Sequence, residues 1–375
     1  MTKYSVFQLE EWFERYEFEV DHLLGSSSCA GMTMEELCHI TGETVDFAGS
    51  SLGATPGPGS DELREAISTW YKNGAPENVY ITSSSTEAIF LLIESILSQG
   101  DSMIAMFPMY PALYQLAEDN GAEIRHWHLR HENSFEPDLD ELKELVDDTT
   151  KLIVVNNPNN PTGQIMLRDN LQHLAHFSRE HNIQLWVDEV FRGITVDGGP
   201  VTPSIRDIDS TTISTGSMSK SFGLSGLRVG WIAAPEEVLE AFRHIRFYTT
   251  VTAPVIEQRI ATVAHRNRDK VIGRNQTILD RNYTYLKQWM GKMNRVFDWV
   301  EPKGGPVTFP KFIDSVNTDD FCLKLAEDYS VLVPSGNYSF NAEGFIRIGF
   351  GHSSGFEEAM SRVEDALNDL SLIHI

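Results

Sequence analysis

The sequence predicts an α/β fold in which a mainly parallel sheet, sandwiched by helices in a large domain, is joined by a smaller α+β domain. Three observations carry that prediction. From about residue 60, short apolar runs alternate with stretches of helical periodicity, the pattern of stacked βαβ units. The apolar runs are continuous rather than alternating, as in strands buried on both faces. After Ala253-Pro254 the pattern changes to a long helical stretch followed by strand-like pieces.

The elements follow in order. Ser60 is placed to cap a helix whose Leu63, Ala66, Ile67 and Trp70 share one face. A second helix begins near Ser85 and turns Ala88, Leu91, Leu92, Ser95 and Ile96 inward. Residues 103–107, 152–156, 185–187, 212–215 and 229–233 are apolar runs bounded by turn or breaker residues and read as buried strands. Short buried helices share that periodicity and stay open as an alternative. Residues 255–293 read as one helical stretch, with strand-like pieces at 307–312 and 345–350. The expected division is a large domain over 46–250, with 1–45 and 251–375 forming an amino-terminal arm and a small carboxy-terminal domain.

Composition narrows the function. The chain has 375 residues, 30 Lys+Arg against 54 Asp+Glu, and a formal charge of −24. With 41% hydrophobic and 22% charged residues it can bury a large core, which excludes a disordered acidic chain, and its length suits about two domains. A surface this negative repels nucleic-acid phosphates and anionic lipid headgroups, so neither is expected as a partner. No apolar run reaches the roughly 18 residues of a membrane span. The amino terminus leads straight into Glu10, Glu11 and Glu14 without a signal-peptide pattern, so a cytoplasmic protein is expected. Cys29, Cys38 and Cys322 form no CxxC pair and are odd in number, which favours thiols over a disulfide framework. His126, His128 and His131 match no helical or finger spacing, so they read as a solvated strand edge and no metal is expected.

The chemistry concentrates in Ser217-Met218-Ser219-Lys220-Ser221-Phe222-Gly223-Leu224-Ser225-Gly226-Leu227-Arg228-Val229-Gly230. A lysine in a Ser- and Gly-rich loop can hold an aldehyde cofactor as a Schiff base, while an arginine at the next strand and nearby hydroxyls bind its phosphate. An ordinary loop lysine is the competing reading. Thr82-Ser83-Ser84-Ser85-Thr86-Glu87-Ala88, Pro108-Met109-Tyr110, Asn157-Pro158-Asn159-Asn160-Pro161-Thr162-Gly163, Val187-Asp188-Glu189-Val190-Phe191 and Ile346-Arg347-Ile348-Gly349-Phe350 accompany it.

In that order, over about 55–350, the chain resembles the fold-type I pyridoxal-phosphate enzymes of the class I/II aminotransferase family. The resemblance implies a seven-stranded sheet, pyridoxal 5′-phosphate as cofactor, a free amino acid as substrate, and a homodimer with its site at the subunit interface. It assigns Lys220 as the Schiff-base lysine and catalytic base. Ser84, Ser85 and Thr86 become the phosphate turn, with Ser217 and Arg228 adding phosphate contacts. Tyr110 would stack on the pyridine, Asn160 would meet O3′, and Asp188 would hold the pyridine nitrogen protonated so that the ring accepts electrons. Arg347 and Asn160 would bind the substrate, Arg347 forking the α-carboxylate. Tyr110 as plain core, Asp188 as a helix cap and Ser217 as a loop hydroxyl are the bland alternatives.

Departures sharpen the expectation. Where the family usually carries a tyrosine after the pyridine aspartate stands Phe191, which removes one donor to O3′ and raises the pKa of the lysine–cofactor link. Ala54 replaces a tyrosine that commonly reaches the neighbouring subunit's phosphate. The stretch Leu9-Glu10-Glu11-Trp12 with Gly25-Ser26-Ser27-Ser28 is similar to the capreomycidine synthase branch of the fold, the hydroxyarginine cyclases. That branch is also similar in Phe191, in the run 223–231, and in Gly304-Gly305 followed by Phe309-Pro310. The expected reaction is therefore cyclisation of a hydroxy-L-arginine: Cα deprotonation, loss of the side-chain hydroxyl, and guanidine addition. Loss from Cβ gives a six-membered ring and loss from Cγ a five-membered one. Glu10 is the candidate acid for the leaving hydroxyl, with a solvated helix glutamate as its competing reading, and Ser27 and Ser28 border the substrate. An ordinary aminotransferase is the alternative reading and a pyridoxal-phosphate-dependent arginine oxidase a further one.

Overall fold

The structure, a computed structural model, describes residues 3–352 and 355–370. Seven strands form one sheet: β1 (Val79–Thr82), β2 (Ser102–Phe107), β3 (Glu123–His128), β4 (Thr150–Asn156), β5 (Gln184–Asp188), β6 (Ile213–Ser217) and β7 (Gly230–Ala233). Their spatial order is β1-β7-β6-β5-β4-β2-β3. β7 runs antiparallel to both β1 and β6, and the remaining pairs are parallel. All six residues of β2 are buried and only Lys151 of β4 is exposed, which is why these strands read as unbroken apolar runs. β3 and β1 are the outer strands, and His126 and His128 are exposed along β3. β1 was not expected: four residues with no alternation leave little pattern to read.

Parallel registration sets up the site. Asn156 pairs with Asp188 and Asp188 with Thr215, so the last residues of β4 and β5 stand beside β6 at the carboxyl end of the sheet. Crevices at the carboxyl ends of open α/β sheets are where ligands bind. The Ser85–Ile96 helix begins where β1 ends and buries Leu91 and Leu92 completely. The helix Asp61–Ser68 starts where expected, although the Ser60 hydroxyl makes no cap bond and its N–H instead donates to Gln258 Oε1 at 2.7 Å.

Three expectations change after Pro254. The helical stretch is two helices, Val255–Arg266 and Arg268–Lys292, because Asn267 leaves helical geometry and its side chain donates to the Val263 carbonyl at 3.0 Å. The pieces at 307–312 are two strands, β9 (Val307–Thr308) and β10 (Lys311–Phe312), divided at Pro310, which has no N–H for a ladder. β10 pairs with β8 (Phe297–Asp298), and β9 with β11 (Ile348–Gly349), all that is strand within 345–350. An amino-terminal helix, Gln8–Tyr16, buries Leu9 and Tyr16 and lies over the carboxyl end of the sheet. No helix among the described residues is long and apolar enough to cross a membrane.

Candidate active site

The residue at the centre of the cleft is Asp188, the last of β5. Thr215 Oγ1 donates to its Oδ1 at 2.8 Å, and the Asn156 amide donates to its Oδ2 at 3.2 Å and to its backbone carbonyl at 3.0 Å. Burial pushes the carboxyl up to about 7; the Thr215 hydrogen bond opposes that, Glu189 adds to it, and Lys220 also opposes it. Lys220 stands in the loop after β6, where Nζ donates to Ser27 Oγ at 2.9 Å and to Ser28 Oγ at 3.4 Å. Burial pulls its ammonium down to about 8, helped by Arg347 and Arg228 and resisted by Glu10 and Asp188. An acid raised and a base lowered in one cavity is the arrangement that proton transfer near neutrality requires.

Arg347 is fully buried, yet its guanidinium reaches the cavity. Nη1 donates to Asn160 Oδ1 at 3.0 Å, while Nε and Nη2 donate to the Gly25 carbonyl at 3.1 and 2.7 Å. Asn160 is itself held by its N–H donating to Asn156 Oδ1 at 2.6 Å. The guanidinium also lies over the Phe13 ring at 5.7 Å, tying it to the amino-terminal helix. From that helix Glu10 accepts the Tyr110 hydroxyl at 2.8 Å, and Phe7 packs on the Tyr110 ring with centroids 5.6 Å apart. Burial, then the charge of Glu10, holds the Tyr110 phenol well above its ordinary range.

The opposite end is built for an anion. Ser85 and Thr86 open a helix whose first-turn N–H groups have no intrahelical partner, and both line the cavity with Ser219, Ser225 and Arg228. Arg228 is exposed, and Nη1 donates to the Ser225 carbonyl at 3.0 Å. Ser84 is held at φ +132° and ψ 168°, backbone geometry that is otherwise nearly reserved for glycine, directly before this turn. Its hydroxyl caps the helix by accepting from the Glu87 N–H at 3.3 Å, and Ser217 Oγ accepts from the Ser219 N–H at 3.0 Å. Neither Ser84 nor Ser217 lines the cavity, unlike the other expected site residues.

These groups enclose ≈ 410 Å³. A larger cavity of ≈ 650 Å³ lies on the far side of the amino-terminal helix, lined by Glu11, Trp12, Asp319 and Tyr338 among others, and contains none of the expected site residues. Phe191 forms part of the smaller cavity's wall, packed with Val190 and Val307. Gly305 stands against it at φ +76°, where a Cβ would approach the Phe191 ring to 2.7 Å. The sequence reading missed Asn156, Thr215, Phe13 and Glu17. Asn156 had a signal, as a polar residue ending a buried strand just before the Asn-Pro motif.

The donor set fits pyridoxal 5′-phosphate: an anion cradle of helix N–H groups, hydroxyls and Arg228, a buried carboxylate for the ring nitrogen, and a depressed lysine between them. The sequence profile of the family described as aminotransferase class I and II matches residues 23–363. Capreomycidine synthase from Streptomyces vinaceus is 31% identical over 346 residues, 91% of this chain and 88% of that protein. A crystal structure of a PLP-dependent aminotransferase from Streptococcus suis superposes with a TM-score of 0.91 at 30% identity, covering 98% of this chain and 99% of that one. The PLP-dependent cyclase OrfR gives a TM-score of 0.90 at 26% identity, with 99% of both chains covered. The chain belongs to the aminotransferase class I and II family, the fold-type I enzymes that use pyridoxal 5′-phosphate.

Proposed function

We propose that this enzyme cyclises a hydroxy-L-arginine, removing the Cα proton, expelling the side-chain hydroxyl as water and closing the guanidine onto the resulting unsaturated carbon. The observation that carries the reading is Glu10, which the amino-terminal helix brings to the Tyr110 hydroxyl in the cavity that contains Lys220. Hydroxide leaves poorly, and a carboxyl group there is the acid that a simple amino exchange does not need. The likeness to capreomycidine synthase supports the same reading.

Pyridoxal phosphate, when bound, supplies the electron sink that acidifies the substrate's Cα–H. Asp188 would keep the ring nitrogen protonated, Tyr110 would pack on the ring, and Asn160 would meet its phenolic oxygen. Ser85, Thr86 and Arg228 take the phosphate. Arg347 holds the α-carboxylate, which orients Cα–H toward Lys220. Nζ of Lys220, lowered to about 8, is available as the neutral base, and Ser27 and Ser28 steady it. Glu10, hydrogen-bonded to the Tyr110 hydroxyl, is the cavity group placed to assist departure of the hydroxyl oxygen. The helix that carries Glu10, Phe13 and the adjoining Phe7 roofs the cavity and limits the access of water to the unsaturated product before ring closure.

Aminotransfer is the second reading, because Lys220, Asp188, Asn160 and Arg347 serve it equally and the Streptococcus suis structure is named as an aminotransferase. Holoenzyme incubated with 3- or 4-hydroxy-L-arginine and analysed by mass spectrometry is expected to yield a product lighter by one water with its α-amine retained. Glu10→Gln is expected to slow that reaction by about 10²- to 10⁴-fold without changing the absorbance of the lysine-bound cofactor. A keto acid, with the amine form of the cofactor accumulating, decides for the aminotransferase.

A further inference from the structure

We infer that Glu17 selects a cationic substrate: its carboxylate, where the amino-terminal helix ends, receives the guanidinium of an amino acid whose α-carboxylate is held by Arg347. The inference rests on the hydroxyarginine reading and goes beyond it by naming the residue that recognises the side chain.

Glu10, Phe13 and Glu17 are spaced i, i+3, i+7 and therefore share one face of the helix, and all three line the ≈ 410 Å³ cavity. Glu11, Glu14 and Arg15 turn to the other side and line the separate ≈ 650 Å³ cavity. The backbone positions of the two cavity-facing glutamates are about 10 Å apart along the helix axis, so their side chains enter the cavity from different turns. Glu10 is already engaged by Tyr110.

Glu17 has no such partner. It is half-buried, and no hydrogen bond or ion pair of its carboxylate is found among the described residues. The cations of the cavity are directed elsewhere: Lys220 to Ser27 and Ser28, Arg347 to Asn160 and Gly25, Arg228 to Ser225. Burial pushes the Glu17 carboxyl up, the charge of Glu10 adds to this, and Lys220 opposes it. A carboxylate held partly out of water, with no directly paired cation among the described residues, is better stabilised when a ligand brings a charge-assisted donor pair. A guanidinium is planar and offers two parallel N–H donors to one carboxylate, which a neutral urea group of the same shape cannot match in charge.

The test compares L-arginine with L-citrulline, its neutral isostere, by titrating the intrinsic tryptophan fluorescence of holoenzyme. Wild type is expected to bind L-arginine about 10- to 100-fold more tightly, the size of a hydrogen bond to a charged group. Glu17→Gln is expected to bring the two affinities within about threefold of each other while leaving L-citrulline binding and the cofactor absorbance unchanged. Glu14→Gln, which removes the same charge from the opposite face, is expected to keep the preference. A Glu17→Gln enzyme that still prefers L-arginine as strongly as wild type overturns the assignment of Glu17 and leaves the cyclase reading intact. Equal loss in Glu14→Gln overturns it too, since net charge alone would then be responsible. A wild type with no preference removes the arginine reading itself.

Discussion

Asp188 and Lys220 are moved toward one another in acidity by the same cause, the loss of water around each, and that makes the pair sensitive to pH. The native value of Asp188, about 7, lies above the ordinary 3.8, so the unfolded chain gives up this proton first. Its contribution to the stability of cofactor-free protein is therefore full below about pH 4 and lost as pH rises through about 7. Lys220, at about 8 against 10.5, contributes oppositely, with stability present above the ordinary value and lost as pH falls through about 8. Asp188→Asn removes the first dependence. Thermal melts of cofactor-free protein are expected to show the variant gaining on wild type as pH rises from about 4 to about 8; a difference that does not change with pH would count against a buried, titrating Asp188. In holoenzyme the same change is expected to cost about 10²- to 10³-fold in turnover, the range for removing one preorganised electrostatic group. At this scale the sequence was informative about which residues converge: Lys220, Asp188, Asn160 and Arg347, expected together, line one cavity. It was silent on Thr215 and Glu17, which matter through what lies across from them in space. Ser84 shows the intermediate case, a hydroxyl in the right turn that is spent on capping its helix.

Elements place these residues, and one close placement is where β7 crosses the turn before the Ser85–Ile96 helix. A Cβ on Gly230 would lie 2.5 Å from both the Ser84 carbonyl carbon and the Ser85 nitrogen, so the strand presses directly on the backbone of the anion cradle. The turn is already strained at Ser84 and braced by Glu87, whose Oε2 accepts the Ser83 N–H at 2.6 Å. Backbone cannot rotate aside as a side chain does. Gly230→Ala is therefore expected to displace the turn, costing about 1–3 kcal/mol of stability by overpacking and weakening cofactor binding by at least about tenfold. Absorbance titration of the cofactor beside a denaturation curve separates the two effects, and a variant with unchanged cofactor affinity would show that the turn does not depend on β7. The long buried strands were legible because both faces are apolar, and the Ser85 helix because its cap and periodicity agree. β1 and β8 were not, and β9 to β11 were read only as longer strand-like pieces, because so short a strand is bounded by its pairing partner rather than by its own pattern. The break at Asn267 was hidden by the helical periodicity on both sides of it.

Across the whole molecule a charge of −24 coexists with a cavity containing Lys220, Arg228 and Arg347. The Ser85–Thr86 end of the cavity lies near a face where exposed apolar side chains stand among charged ones such as Arg64, Glu77, Glu240 and Arg243. Leu52 is 81% exposed, Tyr248 91% and Val251 50%, and Phe247 and Val251 line a cleft with Pro58, Tyr80 and Leu239. The segments carrying them touch, since Thr55 Oγ1 donates to the Ala253 carbonyl at 3.0 Å. Val251 is also held at φ +59°, a strained conformation for a β-branched residue. The same segment reaches the turn at Ser83 and Ser84, because Thr249 and Thr250 donate their hydroxyls to Glu87 Oε1 at 2.6 and 2.7 Å. We propose that the expected homodimer forms over this face, with the second copy covering Leu52 and Tyr248 and fixing segment 247–252. Cofactor affinity is then expected to depend on assembly, because Thr249 and Thr250 in this segment hold Glu87 against the turn together with the Arg246 ion pair at 3.7 Å. Sedimentation is expected to give twice the chain mass for wild type and a single chain for Leu52→Glu combined with Tyr248→Glu. The dissociated variant is expected to retain its fold by circular dichroism and to bind pyridoxal phosphate at least about tenfold more weakly. A wild type that sediments as one chain, or a double variant that remains dimeric, removes this face as the interface. A monomeric variant with wild-type cofactor affinity removes the link through Glu87 alone.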